Sequence, residues 1–91
     1  MDRRFLPKNI TSATTTAVKA TPGILIRVTV NKPVSGSTIT IYNNTAASGT
    51  KVATITNSTD TKPYYLDFGC WCDTGITVVT SGADDVTITY A

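Results

Sequence analysis

The chain has no histidine, and this absence excludes the commonest catalytic arrangements. The usual general base is missing, and neither a Ser-His-Asp nor a Cys-His arrangement can form within one chain. Asp84 and Asp85 are adjacent, so in a strand their side chains point to opposite faces and do not act as a pair. Asp67 and Asp73 flank the cysteine segment and could approach each other, but nothing in the sequence indicates their burial. We therefore predict a non-enzymatic protein without catalytic residues.

Cysteine is scarce as well. Cys70 and Cys72 are the only two, too few and too close together for a disulfide framework. A structural zinc needs about four ligands, and no histidine or third cysteine is present to complete such a set. We therefore predict neither a metal site nor a cofactor. We interpret the cysteines as small buried hydrophobes beside a packed Trp71, with an interchain contact as the alternative.

Residues that favour helices are also missing. Glutamate and glutamine are absent and leucine occurs three times, whereas 19 of the 91 residues are threonine. Because β-branched residues suit a pleated surface and good helix formers are lacking, the composition predicts an all-β chain.

Neither a long apolar run nor a strong charge imbalance is present. No segment approaches the ~18 residues needed to cross a bilayer, and the N-terminus lacks the apolar region of a secretory signal. We therefore predict no membrane association and no export. The net charge is +2, and the excess lies in residues 1–8, since five basic and five acidic residues follow. This is too little positive charge to predict nucleic-acid binding.

Strand signals dominate what remains. In 24–31 strict alternation predicts one buried face, formed by Ile24, Ile26, Val28 and Val30. The same pattern places Ile39 and Ile41 inward in 37–43, and Val86, Ile88 and Tyr90 inward in 84–90. Val52 is out of phase with its neighbours in 51–57, which predicts a bulge or an edge position.

The remaining strands are short. Segment 62–68 places Tyr64, Leu66 and Phe68 on one face, and we expect Gly69 to end it, leaving Cys70-Trp71-Cys72 in a loop. Segments 75–80 and 84–90 flank a turn and predict a hairpin. Six or seven short strands, with breaks every ~8–12 residues, predict a single antiparallel β-sandwich ahead of a small barrel.

The first nine residues show no periodicity, and Pro7 favours an extended backbone before it. We predict an extended N-terminal arm over 1–9 and a β-sandwich domain over 10–91, with a frayed terminus as the alternative. Two large apolar side chains beside arginines favour an arm that docks on a partner. The residues that we expect to contact this partner are Arg3, Arg4, Phe5, Leu6, Lys8 and Trp71.

Exposed aromatic residues suggest an alternative ligand. Tyr42 and Tyr65 are predicted to point outward, and Trp71 to lie in a loop. Together they would form a platform on which sugar rings stack, so a glycan is the alternative partner.

Two stretches resemble hairpins of a known group of proteins. The residues Gly-Ser-Thr-Ile-Thr-Ile-Tyr-Asn-Asn-Thr-Ala-Ala-Ser-Gly-Thr-Lys-Val-Ala-Thr-Ile (36–55) and Gly-Ile-Thr-Val-Val-Thr-Ser-Gly-Ala-Asp-Asp-Val-Thr-Ile-Thr-Tyr (75–90) are similar to hairpins of small all-β virion proteins of tailed bacteriophages. Those proteins are Ig-like or jelly-roll-like pieces that decorate heads or build fibres and necks. The Cys-Trp-Cys segment is not part of the pattern.

This resemblance implies a structural protein of the virion. The expected role is a capsid decoration or cement protein, bound to the major capsid protein on the outer capsid surface. It would be made in the host cytoplasm and act as a homo-oligomer. The alternatives are a neck, tail or fibre component, and a carbohydrate-binding or adhesin module. The resemblance brings no catalytic residues with it.

Overall fold

A computed structural model describes residues 5–91, which form eight β-strands and no helix, and therefore no helix able to span a membrane. The strands are β1 (Leu6–Ile10), β2 (Thr15–Lys19), β3 (Gly23–Lys32), β4 (Thr38–Asn43), β5 (Thr50–Thr56), β6 (Tyr64–Cys72), β7 (Ile76–Thr80) and β8 (Asp85–Tyr90). The all-β prediction is confirmed. The structure has eight strands where six or seven are expected from the sequence, and the additional strand is β1.

The strands form two four-stranded antiparallel sheets, in the orders β1-β8-β3-β6 and β2-β7-β4-β5. The first strand pairs with the last, the second with the seventh, the third with the sixth and the fourth with the fifth. The chain is thus one long hairpin rolled up on itself, which is the arrangement of a jelly roll.

The two sheets share one hydrophobic core, as in a β-sandwich. Each sheet contributes alternate residues to it, as the period of two requires. The fully buried side chains of this core are Leu25, Val28, Val30, Cys72, Val86 and Ile88 from the first sheet and Ile39, Ile41, Ile76 and Val78 from the second. The inward positions predicted for β4 and β8 are confirmed.

The region predicted as an arm lies partly outside the described residues. Of its described part, Leu6 to Asn9 belong to β1, which pairs with β8 from Leu6 opposite Tyr90 to Ile10 opposite Val86. Only Ile10 of this strand is buried, because β1 is at the edge of its sheet. An edge strand of this kind carries little hydrophobic alternation, and the sequence pattern therefore did not reveal it.

The buried face predicted for β3 is wrong in its first half. Val28 and Val30 are buried as expected, but Leu25 is fully buried whereas Ile24 and Ile26 are half-buried. The register of β3 with both of its neighbours shifts between Leu25 and Arg27. This bulge reverses the alternation, so that two isoleucines emerge on the outer face of the sheet.

Two further irregularities lie in β5 and β6. Val52 has no partner in β4, because Ile41 lies opposite Ala53 and Tyr42 opposite Lys51, and β5 is an edge strand. The predicted bulge and edge position are both confirmed. The expected break at Gly69 is wrong, since β6 continues through it to Cys72. Gly69 has a φ of 65°, a conformation that glycine adopts without steric cost. The Cys-Trp-Cys segment is therefore strand and not loop.

Candidate functional site

A shallow apolar groove lies on the outer face of the β1-β8-β3-β6 sheet, where the described chain begins and ends. It has a volume of about 320 Å³ and is lined by Phe5, Ile24, Ile26, Gly69 and Ala91. We call these five residues the terminal groove. The bulge of β3 supplies the two isoleucines, and paired backbone hydrogen bonds of 2.9 Å between Ile24 and Ala91 fix one wall.

Gly69 forms an open part of this groove. A side-chain carbon added there would meet no heavy atom within 4 Å, so the space above Gly69 is free. Phe5 closes the opposite side and is 60% exposed. An apolar groove beside a large exposed aromatic residue is the kind of surface that receives an apolar side chain from a partner.

Trp71 stands next to the groove. It lies directly opposite Ile24 on the neighbouring strand and is 62% exposed. The expectation of a packed tryptophan is therefore wrong. Leu6 and Lys8 are exposed on β1. These three residues and Phe5 are thus accessible to a partner, whereas Arg3 and Arg4 lie outside the described residues.

A polar cluster adjoins the groove on the same face. Arg27 donates from Nε to the carboxylate of Asp67 at 2.5 Å, and its guanidinium lies 4.5 Å from the centre of the Tyr65 ring. The hydrogen bond and charge of Asp67 raise the pKa of Arg27 above its usual value. Arg27 is thereby held flat against the sheet, so this side of the groove has a fixed, polar border.

The two cysteines face inward and are unlinked. Cys72 is fully buried in the core, whereas Cys70 is half-buried near the edge. Burial, and to a smaller extent the neighbouring Cys70, raise the pKa of the Cys72 thiol to about 11. A thiol with so high a pKa is a weak nucleophile at neutral pH, so Cys72 acts as a core residue. The interpretation as a small buried hydrophobe is confirmed for Cys72.

The expected aromatic platform is only partly assembled. Tyr65 and Trp71 share the outer face of β6 and both are more than half exposed. Tyr42 belongs to β4 in the other sheet, and thus lies apart from them. Two of the three aromatic side chains therefore face one surface.

A buried polar network, missed in the sequence, joins three loops at the other end of the sandwich. The carboxylate of Asp84 is fully buried and accepts hydrogen bonds from the backbone of Val34 at 2.6 Å, Ser37 at 2.8 Å and Asn57 at 2.9 Å. Tyr64 in turn donates to the side-chain oxygen of Asn57. Burial raises the pKa of Tyr64, and the negative charge of Asp84 raises it further.

The other carboxylates are dispersed. Asp85 accepts hydrogen bonds from Asn9 and Asn31 on the outer face, away from buried Asp84. Asp67 pairs with Arg27, whereas Asp73, after β6, accepts a hydrogen bond from Asn43 at the end of β4. Within residues 5–91 no three His, Cys, Asp or Glu side chains are grouped so as to hold a metal ion.

Comparison with protein-family models, with curated proteins and with solved structures finds no match to this chain.

Proposed function

We propose that this chain is a non-enzymatic structural protein of a tailed-bacteriophage virion, a capsid decoration or cement protein bound to the major capsid protein. The observation that carries the proposal is the terminal groove, an apolar surface flanked by exposed Phe5 and Trp71 on a small jelly roll. Jelly rolls are common in viral capsid proteins, which agrees with the resemblance of the two hairpins.

The proposed binding mode is anchoring by a few apolar contacts. An apolar side chain of the capsid protein fills the groove, and Phe5 and Trp71 cover it on two sides. Large aromatic residues around a desolvated pocket commonly supply most of the binding energy of an interface. In the sequence Arg3 and Arg4 lie close to Phe5, and these two basic side chains would pair with carboxylates on the capsid surface. Lys8 is exposed farther along β1, where it would add a further basic contact.

The test is binding of purified variants to particles that lack the protein. We expect Phe5→Ala and Trp71→Ala each to weaken binding by about tenfold or more, which is the loss of one anchor residue. Val34→Ala is the matched control, because Val34 is also an exposed apolar residue but follows the far end of β3. Equal binding by all three variants would reject the groove as the contact surface.

A neck, tail or fibre position is the alternative within the same class. The groove would then receive a side chain from another virion protein. Labelling of the chain in intact particles separates the two positions, because a decoration protein covers the whole head whereas a neck or tail protein occupies one vertex.

Glycan binding is the second candidate, favoured by the shared face of Tyr65 and Trp71. Six residues of strand place these rings about 20 Å apart, which matches several sugar units. One face of Tyr65 is already covered by Arg27, so Trp71 is the better stacking surface. Binding on a glycan array that is lost in Trp71→Ala and kept in Phe5→Ala would favour this candidate over the virion role.

A further inference from the structure

The buried polar network at the far end of the sandwich contains the groups that an acyl transfer requires. Ser37 supplies a hydroxyl, Asn57 supplies an amide, and the Asp84 carboxylate accepts hydrogen bonds from both. Tyr64 donates to the oxygen of the same amide. These groups correspond to a nucleophile, an electrophile, a general base and a donor that stabilises an oxyanion. The network is therefore equipped for a reaction between Ser37 and Asn57.

The backbone holds Ser37 and Asn57 side by side. Ser37 directly precedes β4 and Asn57 directly follows β5, and these two strands are paired. The backbone amide of Asn57 donates to the carbonyl oxygen of Ser37 at 2.9 Å. Two groups that a fold keeps in contact react as if at a very high concentration, because the entropy of bringing them together is already lost on folding.

The side-chain distances are close to those of a reacting pair. The hydroxyl oxygen of Ser37 lies 2.8 Å from each carboxylate oxygen of Asp84, so its proton has an acceptor. The same oxygen lies 2.9 Å from Nδ2 of Asn57. The amide carbon is one bond of about 1.33 Å beyond this nitrogen, so attack requires a shift of roughly 1 Å. Rotation about the Cβ–Cγ bond of Asn57 turns the face of the amide toward the attacking oxygen.

The site is shielded from water. Ser37 is 7% exposed, Asn57 is 3% exposed and Asp84 is fully buried. A water-excluded site strengthens the interaction of a fixed donor with a developing negative charge, and it protects an ester from hydrolysis once the ester has formed. Burial therefore favours both the formation and the persistence of a bond between Ser37 and Asn57.

We infer that Ser37 and Asn57 form an intramolecular ester, which links two connections of the jelly roll covalently. Asp84 takes the proton from the Ser37 hydroxyl, and the hydroxyl oxygen bonds to Cγ of Asn57. The bond from Cγ to Nδ2 then breaks, and Asp84 passes the proton to the nitrogen, which leaves as ammonia. Tyr64 donates to the carbonyl oxygen while that oxygen carries negative charge. The step needs no oxidant and no further reactant.

The ester would fasten the loop after β3 to the end of β5, residues that are 20 positions apart in the chain. Such a link restricts the unfolded chain in the way that a disulfide does. Each chain reacts once, with itself, so the inference is compatible with a structural protein that has no enzymatic turnover. It concerns the isolated chain and does not rest on the proposed virion role.

Intact-mass spectrometry of the purified chain tests the ester. We expect a mass about 17 Da below that of the encoded sequence, which is the ammonia that leaves when the hydroxyl displaces it. Ser37→Ala lacks the nucleophile and should show no such loss. Ser35→Ala is the matched control, because Ser35 is an exposed serine of the same loop, and it should lose ammonia as the wild type does. Tyr64→Phe should slow the loss at least about tenfold, since it removes the donor to the oxyanion.

Digestion of the denatured wild-type chain with trypsin locates the bond and depends on no variant. Trypsin does not cleave before proline, so Ser37 lies in peptide 28–51 and Asn57 in peptide 52–91. We expect these two peptides to be joined, and we expect hydroxylamine, which cleaves esters, to separate them. A wild-type chain of full mass with separate peptides would show that the network is only structural. A loss of ammonia that persists in Ser37→Ala would show that Asn57 closes on its own backbone, and either result would overturn the inference.

Discussion

The hydroxyl of Ser37 lies 2.8 Å from the carboxylate of Asp84, although 47 residues separate them in the chain. This contact is buried, and it joins the loop after β3 to the loop before β8. Asn57 adds the loop after β5 to the same carboxylate. A single acidic side chain thus holds together three connections at one end of the jelly roll, opposite the terminal groove.

We expect Asp84→Ala to be among the most destabilising substitutions in this chain. It would remove the acceptor of the buried Val34 amide and one acceptor each of Ser37 and Asn57, which keep only their contacts to each other and to the Val34 carbonyl. The expected loss is about 3 kcal/mol of unfolding free energy, because each unsatisfied buried group costs ~1–3 kcal/mol. Urea unfolding measures it. Asp85→Ala is the control, whose polar contacts are exposed and whose effect we expect to be below about 1 kcal/mol. Similar losses for both variants would contradict the role of the network.

The raised pKa of Cys72 predicts that stability falls at alkaline pH. The pKa of the thiol is 9.0 in the unfolded chain and about 11 in the native core. Between these values the unfolded chain loses a proton that the native chain keeps, so the unfolding free energy decreases as the pH rises. We expect a decrease of roughly 1–2 kcal/mol across this window. Cys72→Ala should flatten the dependence, whereas Cys70→Ala retains the buried Cys72 thiol and should preserve most of it, since burial is the larger cause of the raised pKa. An unchanged slope in Cys72→Ala would show that another group causes the decrease.

Two glycines allow the terminal groove to be tested with matched backbone strain. Gly69 and Gly36 have φ values of 65° and 76°, and neither has an atom within 4 Å of the position of an added side chain. We expect Gly69→Ala and Gly36→Ala each to destabilise the fold by about 1–2 kcal/mol through conformational strain alone. Only Gly69→Ala narrows the groove, so only this variant should weaken binding to particles. Equal binding of the two variants to particles would show that the terminal groove does not contact the capsid.

Removal of the N-terminal segment has different expected effects at two lengths. Deletion of residues 1–4 leaves β1 complete, and we expect unchanged stability with weaker particle binding, since Arg3 and Arg4 are lost. Deletion of residues 1–8 also removes three of the five residues of β1 and uncovers the edge of β8. The longer deletion should therefore lower the thermal midpoint as well. Full particle binding after deletion of residues 1–4 would show that Arg3 and Arg4 do not contribute to the proposed interface.

Alternation in the sequence was enough to predict the strands whose pattern is regular. β4 and β8 bury the residues that the period of two selects, and Val52 revealed its bulge by being out of phase. The first half of β3 shows the limit of this reasoning. β-branched apolar residues occupy every second position from Ile24 to Val30, and nothing in the sequence indicates that a bulge will turn Leu25 inward. The bulge is defined by the pairing of β3 with both of its neighbours, which are distant in the sequence.

The candidate site was predictable only in its most exposed residues. The sequence predicts Phe5 and Trp71 as contact residues, because large apolar side chains are unusual beside arginines or between cysteines. Ile24 and Ile26 were assigned to the core, so the terminal groove itself was missed. The Asp84 network was missed for a similar reason, since its partners come from distant loops. Both features depend on long-range contacts, which a periodic pattern along one segment does not contain.

The most direct test of the proposed virion role is a cryo-electron map of native virus particles produced from the genome that encodes this chain. We expect repeated density for the jelly roll across the outer capsid surface, with Phe5, Trp71 and the terminal groove against the major capsid protein. Density restricted to the neck, tail or fibres would reject decoration in favour of the alternative position. Particles without the chain would contradict the virion role altogether.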